Sequence, residues 1–523
     1  MKLDWRWTVL LAIIFLPFFP LHQVDAATTG NQVMLVYDSQ NKSDEKPHDI
    51  DVLQRSLTSM GLNVQTVSQA DYHKGMLTSK YQAVITMINW PEVGLTNQDF
   101  IHDRARFKGI ELHIGQDLTE DESHRLQAAP KKLYQQQLIL KSQGSSQVLP
   151  FSETLTVFDH LPTSAQRFGQ LSPQQNDQPS YPYGLIQGNM GYLPYFEGKG
   201  LSLIVALDLM AHLFHRVVSS RPLLTITGVS PYVDLKLLQE LGAFLQKNQI
   251  PFAISTVTVS DNTELRAYRD FTKVLRRIEL DDGVIFMQVP KIGGATAADA
   301  TLLNQVVDTS LVNLANYQVY PVGLSAPGYW NQDKLLRSAS LKKSQAWLLL
   351  SNRTPLYLHQ DNRSQVSEGK SWLTLSIKSV MSVQKLPSRF DSPTALTVPM
   401  PSRKTQLTEI ERQITKLPLD WYDPVSEQMK TQIETGGVLI AYDSGQYVLN
   451  GRDKQITMST PHLAQQMKQA PATRPLFKGF FKVEGVILLI FFSLVLIVLL
   501  IFVRIGRKHY IKKFKSKNGE GVD

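Results

Sequence analysis

The stretch "LLTITGVSPYVDLKLLQELGAFLQKNQIPFAISTVTV", Leu223–Val259, decides the fold. Leu223–Ile226 reads as an apolar strand that runs into a loop. Asp234 then stands where a helix N-cap belongs, since a short carboxylate accepts from the first free N–H groups of a helix. Leu235, Leu238, Leu241, Phe244 and Leu245 fall on one helical face, and Pro251–Val259 returns as a strand. Strand, helix, strand is the unit of a parallel sheet.

The alternation continues downstream. A helix is expected through Phe271, Val274, Leu275 and Ile278, and Asp281-Asp282-Gly283 reads as a turn into the strand "GVIFMQV". Ala297–Ala315 is helical in pattern; "YQVYPVGLS", "QAWLLLS" and "TPLYLH" are strands. Pro424–Ile433 reads as a helix before a last strand, Gly436–Ser444. Residues 219–446 are therefore expected to form a (β/α) barrel.

Upstream, "QVMLVYDS", "LNVQTVS", "YQAVITMI" and "GIELHIG" alternate with helical patterns, the first marked by Ile50, Leu53, Leu57 and Met60. Residues 27–136 are expected to be an α/β domain with a parallel, flavodoxin-like sheet. Asp38 and Asn89-Trp90 fall at strand ends, where such sheets bind ligands. No glycine-rich phosphate loop follows the first strand, and Asp38 reads as a loop or cap residue. Residues 137–218 turn to short strands, Pro/Gln/Ser-rich loops and an apolar helix from Leu201. That helix carries His212 and His215, a pair without a third metal ligand at useful spacing, which reads as packing.

The two ends give the topology. Lys2 and Arg6 precede an apolar run, Thr8–Leu21, and Val24-Asp25-Ala26 fits a cleavage site, so residues 1–26 are expected to be a signal peptide; a retained anchor is the alternative. Gly485–Val503 is uncharged and, at 1.5 Å per residue, about 28 Å long, enough to cross a bilayer core. A polar stalk, 447–484, leads to it, and a basic tail, 504–523, follows. The tail's Lys and Arg place it in the cytoplasm and the bulk of the chain outside the cell membrane. The tail also carries +5 of the net +8, which leaves an exterior of about +3 and no electrostatic case for nucleic acid. The absence of cysteine excludes disulfides, thiol nucleophiles and Cys-rich zinc sites.

The barrel stretch resembles the polysaccharide deacetylase superfamily, in particular an exported Gram-positive branch. "TITGVSPYVDLKLLQELGAFLQKNQIPFAISTVTV" carries the likeness best, and "GVIFMQVPKIG", "VYPVGLSAPGYW" and "DPVSEQMKTQIETGG" follow in the family's order, over about residues 219–446. The resemblance implies a divalent metal held by an acidic residue and two histidines, with a carboxylate as base. The acidic pair of the branch aligns here with Thr227 and Gly228, and its His-Gly-Tyr-Thr-His run with Gln288–Ile292. A later Pro-His-Tyr aligns with Pro327-Gly328-Tyr329. No histidine stands between His215 and His359, so a shifted register restores nothing. The resemblance thus implies a barrel with degenerate positions at Thr227, Gly228, Gln288, Ile292 and Gly328, without metal, cofactor or deacetylase chemistry.

Three functions fit such a chain. The first is binding or assembly of cell-surface polysaccharide, with Tyr232, Tyr329 and Trp330 as aromatic platforms at the barrel mouth. The second is a metal-free glycoside hydrolase drawing on Asp261, Asp281, Asp282 or Asp333. Against it, Asp281-Asp282 precedes its strand, and Asp333 suits a helix cap. The third is a scaffold for a synthase or transporter in the same envelope membrane.

Overall fold

The structure, a computed structural model, describes residues 30–38, 49–88, 94–174, 179–290, 297–352, 362–458 and 477–515. The expected signal peptide, Asn89-Trp90, Ile292 and the strand "TPLYLH" lie outside those residues. Two units are separable, Met1–His462 and Leu463–Asp523.

In the first unit, β1 (Gln32–Tyr37), α1 (Asp49–Ser59), β2 (Asn63–Ser68), β3 (Ala83–Met87), α2 (Gln98–Arg106), β4 (Ile110–Ile114) and α3 (Glu120–Leu126) alternate as read. The four strands are parallel, in the order β2-β1-β3-β4. At the end of β4, Arg104 and His113 both bind the buried Glu122 carboxylate, at 2.9 and 2.8 Å. Burial alone would raise that carboxyl; its contacts with His113 and Arg104 and the Thr119 N–H hold it at about 2.

The chain continues through β5 (Pro130–Gln136), β6 (Leu138–Ser142), β7 (Ser145–Val148), β8 (Ser152–Phe158), β9 (Gln166–Pro173), β10 (Tyr181–Gln187), β11 (Met190–Leu193) and α4 (Gly200–Leu213). β11 runs parallel to β4, and the sheet extends in the order β2-β1-β3-β4-β11-β10-β9-β6-β7. The residues read as a β-rich extension thus share one nine-stranded sheet with the α/β domain, and β5–β8 forms a separate ribbon. Helix α4 is apolar almost all round because the sheet and the barrel side of the core both cover it. It stops at Leu213, and His215 follows with φ 54°, so the two histidines share no helix face.

The barrel comprises β12 (Leu223–Val229), α5 (Leu235–Lys247), β13 (Phe252–Thr256), α6 (Arg266–Leu280), β14 (Gly283–Gln288), α7 (Ala297–Asn316), β15 (Gly323–Pro327), α8 (Tyr329–Gln332), α9 (Lys334–Ala339), β16 (Ala346–Leu350), β17 (Lys370–Ser376), α10 (Ile377–Val380), β18 (Thr394–Pro399) and the outer helix α11 (Lys404–Lys416). Asp234 caps α5 as expected, accepting from Lys236 N and Leu237 N. Seven parallel strands close on themselves, β18 pairing with β12. Side chains meet across the lumen between strands that are not neighbours. The Ser255 and Ser325 hydroxyls are 2.7 Å apart, and the Phe286 and Trp372 rings 5.8 Å. Alternation along each strand then points Thr225, Thr227, Gln288, Thr374 and Thr397 to the same interior.

Two expectations fail after the barrel. Pro424–Ile433 is not a helix: Gln428, at φ 51°, ends a turn, and β19 (Lys430–Glu434) follows. The stretch alternates, with Met429, Thr431 and Ile433 inward, which is strand periodicity. The last strand read for the barrel instead becomes β20 (Leu439–Asp443), antiparallel to β19 and to β21 (Gln446–Leu449), with β22 (Arg452–Lys454) at the edge. In this small sheet Tyr447 packs against Tyr320, beside the buried Glu279. The second unit contains α12 (Phe477–Lys515), in which Leu488–Lys508 is long and apolar enough to span a membrane, the one such helix among the described residues.

Two measurements check this packing. A Cβ at Gly323 would lie 2.3 Å from the Phe286 ring, whereas one at Gly436 would find its nearest atom at 3.9 Å. In urea unfolding of the full chain in detergent, Gly323→Ala should cost about 1–3 kcal/mol and Gly436→Ala under about 0.5. Burial pushes the Glu279 carboxyl up to about 8, against the pull of Tyr320 N–H and Arg276. A raised acid binds its proton more tightly folded than unfolded, so stability falls as pH rises from about 5 towards 8. Glu279→Gln should flatten that slope.

Candidate functional site

The barrel mouth, at the carboxyl ends of its strands, is where such folds place ligands. Thr227 and Gly228 sit there in a β-bulge: Ile226 pairs with Ile254 but Val229 with Thr256. The bulge requires φ 78° at Gly228, a left-handed value that glycine adopts without strain. Thr227 is half-buried, its hydroxyl donating to Val398 O at 3.4 Å. Gln288 is half-buried at the end of β14.

The other side of the mouth is filled from the N-terminal domain. Helix α1 is buried from Ile50 to Ser59, and its Arg55 guanidinium reaches the ends of β16 and β17. Arg55 Nη1 donates to Thr374 O at 2.7 Å and to Leu349 O at 3.4 Å. Nε and Nη2 both bind Asp51 Oδ2, at 2.9 and 2.7 Å. Gly328 is the seat of this pair: a Cβ there would stand 2.7 Å from both Arg55 Cδ and Asp51 Oδ1. One residue earlier on α1, Gln54 binds Thr66 Oγ1 and accepts from Gln332 Nε2. Beside it, Asn362–Ser364 adds to the β2 edge, with Thr66 N on Asn362 O and Ser364 N on Val64 O. An edge strand that would otherwise present unpaired groups is thereby closed.

The three aromatic candidates separate. Tyr232 is 86% exposed on the loop after β12. Trp330 is 2% exposed and offers no ring face to solvent. Tyr329 is half-buried, its N–H held by Asn352 Oδ1 at 3.0 Å, and burial raises its phenol. The carboxylates considered for hydrolysis lie elsewhere in role. Asp281 pairs with Arg277 at the end of α6, Asp282 is a turn residue at φ 63°, and Asp333 caps α9. Asp261 is exposed beside Ser260. Among the described residues no group of three His, Cys, Asp or Glu side chains comes together as a metal site.

Asp51 and Arg55 went unread in the sequence because an i,i+4 ion pair on a helix usually faces water. One signal was available: the polar face of "DIDVLQRSLTS" carries Gln, Ser and Thr but no Lys or Glu, which suits a helix covered on both sides. No protein-family model matches the chain, and no curated protein matches it.

Replacing Arg55 by Met should leave Asp51 buried and uncompensated, at a cost of about 3–5 kcal/mol in chemical unfolding. Changing Asp51→Leu in the same chain should recover most of that loss, because the pair as a whole contributes little net stability.

Proposed function

We infer that this is a membrane-tethered, extracellular glycan-binding protein built on a barrel of polysaccharide-deacetylase type that has exchanged catalysis for recognition. The observation that carries the reading is the chemistry of the mouth. Thr227, Gln288 and Thr397 supply hydroxyl and amide groups on the half of the mouth that keeps partial exposure, and the carboxylate brought in by α1 is already bound to Arg55. Neutral donors and acceptors suit sugar hydroxyls; they are poor ligands for a divalent ion. Tyr232 adds an exposed ring of the kind on which a sugar face stacks. The parallel order of β1 to β4 supports a flavodoxin-like first domain, with α1 serving the barrel. The span Leu488–Lys508 and the basic residues after it support a single-pass anchor with a cytoplasmic tail, which keeps the binding face near the polysaccharide being made or retained at the cell surface.

The test is equilibrium binding of the full chain in nanodiscs to purified surface polysaccharides, acetylated and deacetylated. Micromolar binding is expected, weakened about tenfold by Tyr232→Ala, with no acetate released. Binding to none of them, together with recovery of a synthase or transporter by pull-down, would favour a scaffold instead. Acetate release that follows added zinc would overturn the reading.

A further inference from the structure

Residues 138–148, "LILKSQGSSQV", fold as the hairpin β6–β7, with Ser142 opposite Ser145 and two residues in the loop. Gln143 and Gly144 are both left-handed there, at φ 47° and 78°, the backbone that a two-residue hairpin turn needs. Leu138 and Leu140 are buried in the core, so strand alternation sends Lys141 to the other face. On that face Lys141 pairs with Ser146 of β7 and with Gln170 of β9, one row across three strands. The tip is pinned from the barrel. The buried Ser145 hydroxyl donates to Lys385 O and accepts from Lys385 N, both at 2.9 Å. The same contact brings the Lys385 ammonium to the turn, where a Cβ on Gly144 would stand 3.0 Å from Nζ.

A cavity of about 390 Å³ opens beside the turn, walled by residues 141–146 and by Gln170. That is the size of a small-ligand site, but its lining is unusual. Such sites are mostly apolar, whereas Lys, Ser, Gln and Gly make up this one, with no aromatic ring and no carboxylate. Lys141 and Lys385 are exposed, and neither enters an ion pair among the described residues. A cation would be repelled, and an apolar group would find nothing to bury against. An oxyanion meets an ammonium together with hydroxyl and carboxamide groups, all of them walls of the same cavity.

We propose that the cavity beside the β6–β7 turn binds the oxyanion of an acidic sugar, a carboxylate or a phosphate. Lys141 is its ion-pair partner, the Ser142 and Ser146 hydroxyls are its hydrogen-bond donors, and Lys385 raises the positive potential at the turn. The site depends neither on Tyr232 nor on the glycan-binding reading of the barrel mouth. It is open and already formed, so no movement of the fold is needed to admit the ligand. Because both ammoniums are solvated, binding is weak and falls as salt shortens the Debye length to about 8 Å at 0.15 M.

Two substitutions act on the cavity by different means. Lys141→Gln removes its charge, and Ser146→Trp fills it at an exposed strand position without changing the charge. Lys247→Gln, at the exposed end of α5, is the control for net charge. The full chain in nanodiscs of zwitterionic lipid is titrated at low and physiological salt with tetragalacturonate, its neutral methyl ester and glucose 6-phosphate. The expected result is binding of at least one of the two anions but not of the ester, weaker at the higher salt. Lys141→Gln and Ser146→Trp should each weaken it about tenfold, while Lys247→Gln and Tyr232→Ala leave it within about twofold of wild type. Preference for tetragalacturonate assigns the cavity to a carboxylate, and preference for glucose 6-phosphate assigns it to a phosphate. Equal weakening by Lys141→Gln and Lys247→Gln, with wild-type affinity in Ser146→Trp, overturns the site in favour of diffuse surface charge. Binding of the ester as tight as that of the acid, or of neither anion at low salt, overturns it as well.

Discussion

A buried ion pair from one domain, set into the open end of another, is the constraint on which the arrangement depends. Arg55 is bound on one side by Asp51 and on the other by the carbonyls of Leu349 and Thr374, so its charge is never left alone in the interior. That geometry is costly to break and poorly replaced, since loss of either partner strands a charge where water cannot reach it. It also fixes a glycine at position 328, because any side chain there would meet the pair.

The pair does not act alone. Gln332 bridges to Gln54, Asn362–Ser364 extends the β2 edge, and Ser145 exchanges hydrogen bonds with the backbone of Lys385 on the far side of the sheet. Leu373, Leu375, Val380 and Leu396 of the barrel share one apolar cluster with Leu53, Leu57 and Met210 of the sheet and its helices. Sheet and barrel consequently form one interior, and a barrel mouth that would be an open bowl in isolation is roofed over β15 to β17. The half near Thr227, Gln288 and Thr397 keeps partial exposure.

This explains why neighbouring aromatics take different duties. Tyr232 follows a bulged strand end on the unroofed side and projects into water. Trp330 belongs to the turn that receives α1 and is drawn inward with it. Sequence proximity to a strand end places both at the mouth; only the position of the roof decides which ring meets solvent.

What the sequence determined by itself is whatever depends on local periodicity and composition. The four parallel strands, the capped helix after Asp234, the turn at Asp282-Gly283 and the apolar span near the C-terminus were all legible from patterns within a dozen or so residues. Local pattern also misleads: the alternation at Met429–Ile433 is a strand where a helix is expected, and the apolar helix from Leu201 stops at Leu213, before His215. Closure of the barrel by β17 and β18, continuation of the first sheet through β11, and insertion of Asp51 and Arg55 into the mouth were decided only in three dimensions. Each depends on residues far apart in sequence meeting, from 79 positions for Glu111 and Met190 to 319 for Arg55 and Thr374, and an ion pair reads the same in sequence whether water or another domain lies beyond it.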